Sequence, residues 1–302
     1  MSVFTDGKTN GPGICWPDGK RIAVMVTFDF DAEFLRISRA ESKGTSIGFT
    51  DFSRGQYGPH TGLLRCLNML DAHQVKSTFF VPGAVAEKYT EQVRMIHERG
   101  HELACHGYRH ETVRGISREE EEAILDKSEA ALMAVTGKRP AGHRGPESII
   151  HPFTHELLAE RGYLYSSSMK DCDYAYLWEQ DGKELPLVEL PNDITMDDFT
   201  YYYFTFSDPA VRAMYTNREV LGNWKAEFDG LAEEGDKIFV LNPHPQMIGR
   251  ASRIAMVGDF ISYMKGHGAW ITTCENVARY VLNQHKLPEN GSTPEHHGKE
   301  AL

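Results

Sequence analysis

Short apolar runs recur along the chain at intervals that suit β-strands. They cover 22–28 (IAVMVTF), 77–82, 102–105, 140–144, 163–166, 187–190, 237–241 and 270–273. Helical patterns lie between most of them. Leu63, Leu64, Leu67 and Leu70 share one face of a helix over 60–73. A helix over 84–99 stops at Gly100. The helix over 117–136 opens on a capping box, Ser117-Arg118-Glu119-Glu120, and stops at Gly137. Further helices are expected over 152–161, 208–234, 251–267 and 274–284. About eight β/α units predict a single (β/α) barrel with functional groups at the C-terminal strand ends. A doubly wound sheet is the alternative.

Two stretches interrupt the alternation. Residues 34–59, rich in Gly, Ser and Arg, read as a long loop. Residues 191–207 hold Tyr201, Tyr202, Tyr203, Phe204 and Phe206, and read as a lid or interface segment. The expected organisation is an extended Gly/Pro-rich arm (1–20), one domain (21–285) and a disordered polar tail (286–302). His296-His297 in that tail has no fixed geometry for a metal.

Composition narrows the class. The chain has 302 residues and 41% apolar content, ample for a sizeable core. A net charge of −11 without a basic run excludes nucleic acid as a natural partner. The five cysteines are scattered, with no C-x-x-C pair, and predict reduced thiols rather than a disulfide framework or thiolate zinc site. The N-terminal residues lack the pattern of a signal peptide, and no apolar stretch is long enough for a bilayer. A cytoplasmic protein without membrane contact is expected.

Four polar clusters follow strand-like runs. Asp29 and Asp31 close the first; a strand would point both side chains the same way. Two carboxylates that close repel, unless a metal takes one and an Arg the other, leaving one free as a base. His106 and His110, spaced i, i+4, suit two ligands on one side of a helical turn. Two His and one Asp leave positions open for water and substrate, as in a catalytic zinc site. Non-haem iron oxygenases share that set, but a second Asp, Arg144 and a late His favour hydrolysis. Arg144, before Gly145-Pro146, can hold Asp29 through a bidentate pair. His244, between Pro243 and Pro245, is mounted as a general acid for a leaving amine. Asp171 or Asp173, which also follow a strand-like run, can pair with it.

The pattern resembles the polysaccharide deacetylase family of NodB-type chitooligosaccharide deacetylases, in motif order across roughly 20–275. Thr27 to Asp31 looks like the first motif, implying Asp29 as general base and Asp31 as metal ligand. His106-x-x-x-His110 looks like the second and implies the two His ligands. Arg144-Gly145-Pro146 looks like the third, implying the Arg that tethers the base; Leu241-Asn242-Pro243-His244 looks like the last, implying the acid. The resemblance implies a distorted (β/α) barrel, Zn2+ or another divalent transition metal, and hydrolysis of an N-acetyl sugar or peptidoglycan-type substrate. In most members the two Asp are adjacent and followed by Gly; here Phe30 separates them and Ala32-Glu33 follow. That variant, with Gln56-Tyr57-Gly58-Pro59, is similar to an intracellular subgroup. Its peptidoglycan-deacetylase-like, cyclic imide hydrolase and allantoinase members imply a homotetramer and, as alternative substrate, a small cyclic amide or imide. A non-catalytic carbohydrate-binding relative would show a degraded site.

Overall fold

The computed structural model describes residues 13–111, 113–204 and 214–286. Nine strands form its sheet: β1 (Ile22–Asp29), β2 (Thr78–Val81), β3 (Glu102–Cys105), β4 (Gly142–His143), β5 (Tyr165–Ser166), β6 (Tyr176–Gln180), β7 (Lys183–Glu189), β8 (Lys237–Leu241) and β9 (Trp270–Thr272). Their order is β6-β7-β5-β4-β3-β2-β1-β8, with β9 also on β1. Every pairing is parallel except β6 with β7. All eight residues of β1 are buried, as expected of a parallel strand covered on both faces. One edge of β1 pairs with β8; the other pairs with β9 over Ala23–Met25 and with β2 over Thr27–Asp29. This is the expected distorted (β/α) barrel.

Irregular backbone spans the gap between β7 and β8. The Ile238 N–H donates to the Asp173 carbonyl at 2.9 Å, and Asp197 bridges Asn242 in parallel. The first link lies near the start of β8 and the second just past its end. The two loops therefore reach opposite ends of that strand.

Several elements differ from the sequence reading. Residues 34–59 are largely helical, in Phe34–Glu41 and Phe49–Tyr57. Their weak helix formers are carried by packing: Leu35 and Arg36 are buried. The 84–99 segment breaks at Tyr89 (φ −117°, ψ 44°) into Gly83–Lys88 and Thr90–Glu98. A π-helical turn, Gly58–Gly62, precedes helix Leu63–Ala72. The β6–β7 hairpin was not expected. Asp181 and Gly182, both at positive φ (49° and 74°), make its two-residue turn, and Asp-Gly is the standard signal for one. The helix expected over 208–234 runs Asn217–Glu234, opened by a Thr216/Glu219 capping box; 205–213 lie outside the described residues. The Ser117/Glu120 box and the Gly137 stop are as expected.

Of the expected arm, residues 13–20 are described, and they dock: Ile14 and Trp16 are buried and the Trp16 indole N–H reaches the Lys237 carbonyl. Residues 1–12, and the tail beyond 286, lie outside the described residues. No described helix is long and apolar enough to cross a membrane.

Candidate active site

The four clusters converge at the C-terminal end of β1, β3, β4 and β8. Asp29 is the last residue of β1. Phe30 turns into the core, fully buried, so Asp29 and Asp31 face the same side, as their spacing requires. Ala32, at φ 52°, then turns the chain towards helix Phe34–Glu41. His106 and His110 meet with ring centroids 5.1 Å apart, but not on a helical turn. Gly107 (φ 68°) and His110 (φ 61°) make the segment a tight loop. The Glu111 carboxylate braces it, accepting the N–H groups of Tyr108 and Arg109.

Asp31, His106 and His110 are buried and offer ligand atoms that all lie within 4.8 Å of one another. Asp31 Oδ1 is 3.5 Å from His106 Nε2, and Oδ2 is 3.9 Å from His110 Nε2. Asp31 Oδ1 has no hydrogen-bond partner among the described residues. A buried, unpaired carboxylate oxygen is costly unless something positive meets it. His106 Nδ1 contacts the Arg144 carbonyl at 2.8 Å. Donation there leaves Nε2 with its lone pair towards the cluster, the usual support for a metal-ligating imidazole. Burial holds His110 well below the ordinary histidine range, helped by His106 and Arg39, so it stays neutral and able to ligate. These residues fit a divalent transition metal.

Arg144 is fully buried and ties the site together. Its Nη1 donates to Asp29 Oδ1 (2.8 Å) and Thr27 Oγ1 (3.0 Å), and also contacts Asn242 Oδ1. Nε and Nη2 donate to the carbonyl and hydroxyl of Ser167. The expected bidentate pair is therefore a single contact, because Ser167 takes the other edge of the fork. Asn242 Nδ2 lies 3.3 Å from Asp29 Oδ2. Burial alone would raise Asp29, but Arg144, His106 and His244 outweigh it and bring the carboxyl down to about 2.

His244 Nδ1 lies 2.8 Å from Asp198 Oδ1, and its backbone N–H donates to Asp198 Oδ2 at 3.0 Å. Its Nε2 faces Asp31 at 3.5 Å and Asp29 at 4.0 Å. Burial opposes a charged ring, yet Asp197 and Asp198 outweigh it and push His244 up to about 10. Neither Asp171 nor Asp173 is the partner. Asp171 accepts from the Tyr176 hydroxyl. Asp173 sits where its carbonyl meets Ile238, at the opposite end of β8. Six residues of extended chain, roughly 20 Å, separate that point from His244. Asp197 and Asp198 lie in the stretch marked out for its aromatic residues. The adjacent acidic pair was the available signal. Asn242 and Ser167, both buried, carried no signal beyond their places near strand ends.

A sequence model described as polysaccharide deacetylase matches residues 54–166. The chain is 28% identical to a peptidoglycan deacetylase of Helicobacter pylori over 278 residues, covering 84% of this chain and 94% of the relative. It is 27% identical to a peptidoglycan deacetylase-like protein of Gibberella zeae, covering 89% of each. A crystal structure from Mycobacterium smegmatis, assigned as a polysaccharide deacetylase, superposes with a TM-score of 0.83 at 34% identity, over 93% of this chain and 97% of that one. An allantoinase structure shares the fold, with a TM-score of 0.80 at 24% identity over 93% of this chain and 96% of that one.

Proposed function

The chain belongs to the polysaccharide deacetylase family, and from that premise we propose that it is a metal-dependent hydrolase removing N-acetyl groups from amino sugars of the peptidoglycan type. The observation that carries this reading is the pairing of Asp29, held ionised by Arg144, with a cationic His244 across the Asp31–His106–His110 set. The names of the Helicobacter and Gibberella relatives support the same chemistry.

In this reading Asp31, His106 and His110 hold the metal. Zinc is our assignment, on two imidazoles and a carboxylate. The ion would supply a Lewis acid for the acyl oxygen and for activating water. Asp29 takes the proton of the attacking water; its low pKa keeps it ionised at neutral pH. Arg144 holds one oxygen of Asp29, leaving the other turned towards the histidines. With Nδ1 held by Asp198, His244 presents a protonated Nε2 to the departing nitrogen.

The test is acetate release from an N-acetylglucosamine oligomer by metal-analysed protein. Activity should vanish on chelation and return with zinc. Asp29→Asn should retain the metal and lose about a hundredfold or more in rate. Undiminished turnover by that variant removes Asp29 from the role of base.

The burial of the site favours a second reading. Asp29 and His244 are 5% and 4% exposed, and Asp31 is inaccessible. A small ring amide or imide suits such a recess, and the same groups would open it. Hydrolysis of a simple cyclic imide, without acetate release from the sugar, selects this reading over the first.

A further inference from the structure

Guanidinium groups gather one aromatic layer away from His244. Phe199 packs edge-on against the His244 ring, centroids 4.4 Å apart, and Tyr203 packs on Phe199 at 5.3 Å. The guanidinium carbons of Arg36, Arg39 and Arg54 lie 5.0, 5.8 and 5.9 Å from the centre of the Tyr203 ring. Arg39 also lies 6.0 Å from the Phe199 ring centre.

Among the described residues, two carboxylates answer these three cations. Asp51 is shared by Arg36 and Arg54, at 3.3 Å from each. Glu147 meets only the Nε edge of Arg39, at 2.5 Å. A guanidinium carries five N–H donors, and among the described residues most of these find no partner. Among the described residues, Arg36 and Arg54 engage only through Nη1, and Arg39 only through Nε. Arg36 is 7% exposed, yet none of its nitrogens is among the sealed-off polar atoms that lack a partner. Burial weakens its hold on its proton and Arg54 adds to that, while Tyr203 and Asp51 oppose both. In a chain of net charge −11, a half-buried cationic surplus beside a catalytic recess is a seat for an anion. The planar fork of Arg matches a carboxylate.

Resting on the hydrolase reading above, we propose that the substrate carries a carboxylate, received by Arg36, Arg39 and Arg54 while its amide lies against Asp29 and His244. The substrate class is then an acid-bearing N-acyl or ring-amide compound.

The experiment is calorimetric titration of the metal-loaded full chain with two acid–ester pairs. One pair is N-acetylmuramic acid and its methyl ester; the other is hydantoin-5-acetic acid and its methyl ester. In at least one pair the acid should bind about tenfold or more tightly than the ester, a difference of ~1.4 kcal/mol. The preference should shrink as salt is raised. Arg39→Gln and Arg54→Gln should each abolish it, read as the ratio of acid to ester affinity within each variant. Equal binding of acid and ester in both pairs, no binding of either acid, or a preference that survives both substitutions overturns the proposal. Binding requires no turnover, so the two readings fail separately. An acid preference without hydrolysis of either acid leaves the carboxylate seat standing and removes the hydrolase; turnover of neutral probes without an acid preference does the reverse.

Discussion

Asp198 accepts from both the backbone and the ring of His244, which makes it the residue that sets the acid. An ion pair favours the charged imidazole, so removing the carboxylate should bring the His244 pKa down from about 10 towards the ordinary histidine value. A general acid works only while protonated. The Asp198→Asn variant should therefore lose kcat/KM at a lower pH than the parent chain on the alkaline side. The pH–rate profile checks this; an unmoved alkaline limb would take His244 out of the role of acid. The partners of this residue show where sequence reading stops. Asp29, Asp31, His106, His110, Arg144 and His244 were legible because each follows an apolar run. Asp198 sits in an irregular stretch, and only the bridge between Asp197 and Asn242 carries it to the site. Asp171 and Asp173 carried the same strand-end signal, but Asp173 lies towards the other end of β8.

At the scale of elements, the site depends on how tightly the π-helical turn Gly58–Gly62 meets helix Pro245–Ile248. A Cβ on Gly62 would lie 2.0 Å from the Pro245 carbonyl oxygen, and one on Gly249 would lie 2.4 Å from the Gly62 Cα. Backbone faces backbone there, so no flexible side chain can yield. Gly62→Ala should destabilise the fold by about 2 kcal/mol and displace the His244 loop. Thermal melting and kcat measured together check this; a variant with parent stability and activity would show that the contact has slack. Gln246, on the same short helix, lies 3.4 Å from Asp31 Oδ2, which ties the contact to the metal-ligating set. The strands other than β6 and the Ser117 capping box were legible because local periodicity and cap chemistry determine them. The helices within 34–59 were not, because their support comes from distant residues, such as Tyr203 beneath Arg36.

At the scale of the whole molecule, buried neutral histidines link stability to pH. Burial, with Lys76 adding, lowers His101 to about 4; burial, with His106 and His155 adding, lowers His143 to about 3. Above about pH 6.5 both rings are neutral whether the chain is folded or not, and their full contribution is present. Below that pH the unfolded chain takes up protons that the folded one refuses. Stability is then lost as pH falls towards those folded values, by ~2 kcal/mol per histidine near pH 5. Urea unfolding in the presence of chelator, at pH 7 and pH 5, should show the loss. His101→Gln should reduce it, since an amide can still accept the Ser77 N–H. An equal pH slope in parent and variant would place the acid sensitivity elsewhere.

What the sequence by itself determined was the strands other than β6, the helix capped by Ser117 and the six polar groups at strand ends. Those follow from local rules: a strand's two-residue period, a helix's cap, and the placement of barrel chemistry at C-terminal strand ends. Tertiary structure alone decided which acid serves His244, which edge of Arg144 reaches Asp29, and how many guanidiniums meet around Tyr203. Each of these joins residues far apart in the chain, such as Asp198 with His244 or Arg36 with Tyr203. The contacts of Asp198 and Tyr203 depend on where irregular backbone crosses the gap between β7 and β8, and no local period encodes that path.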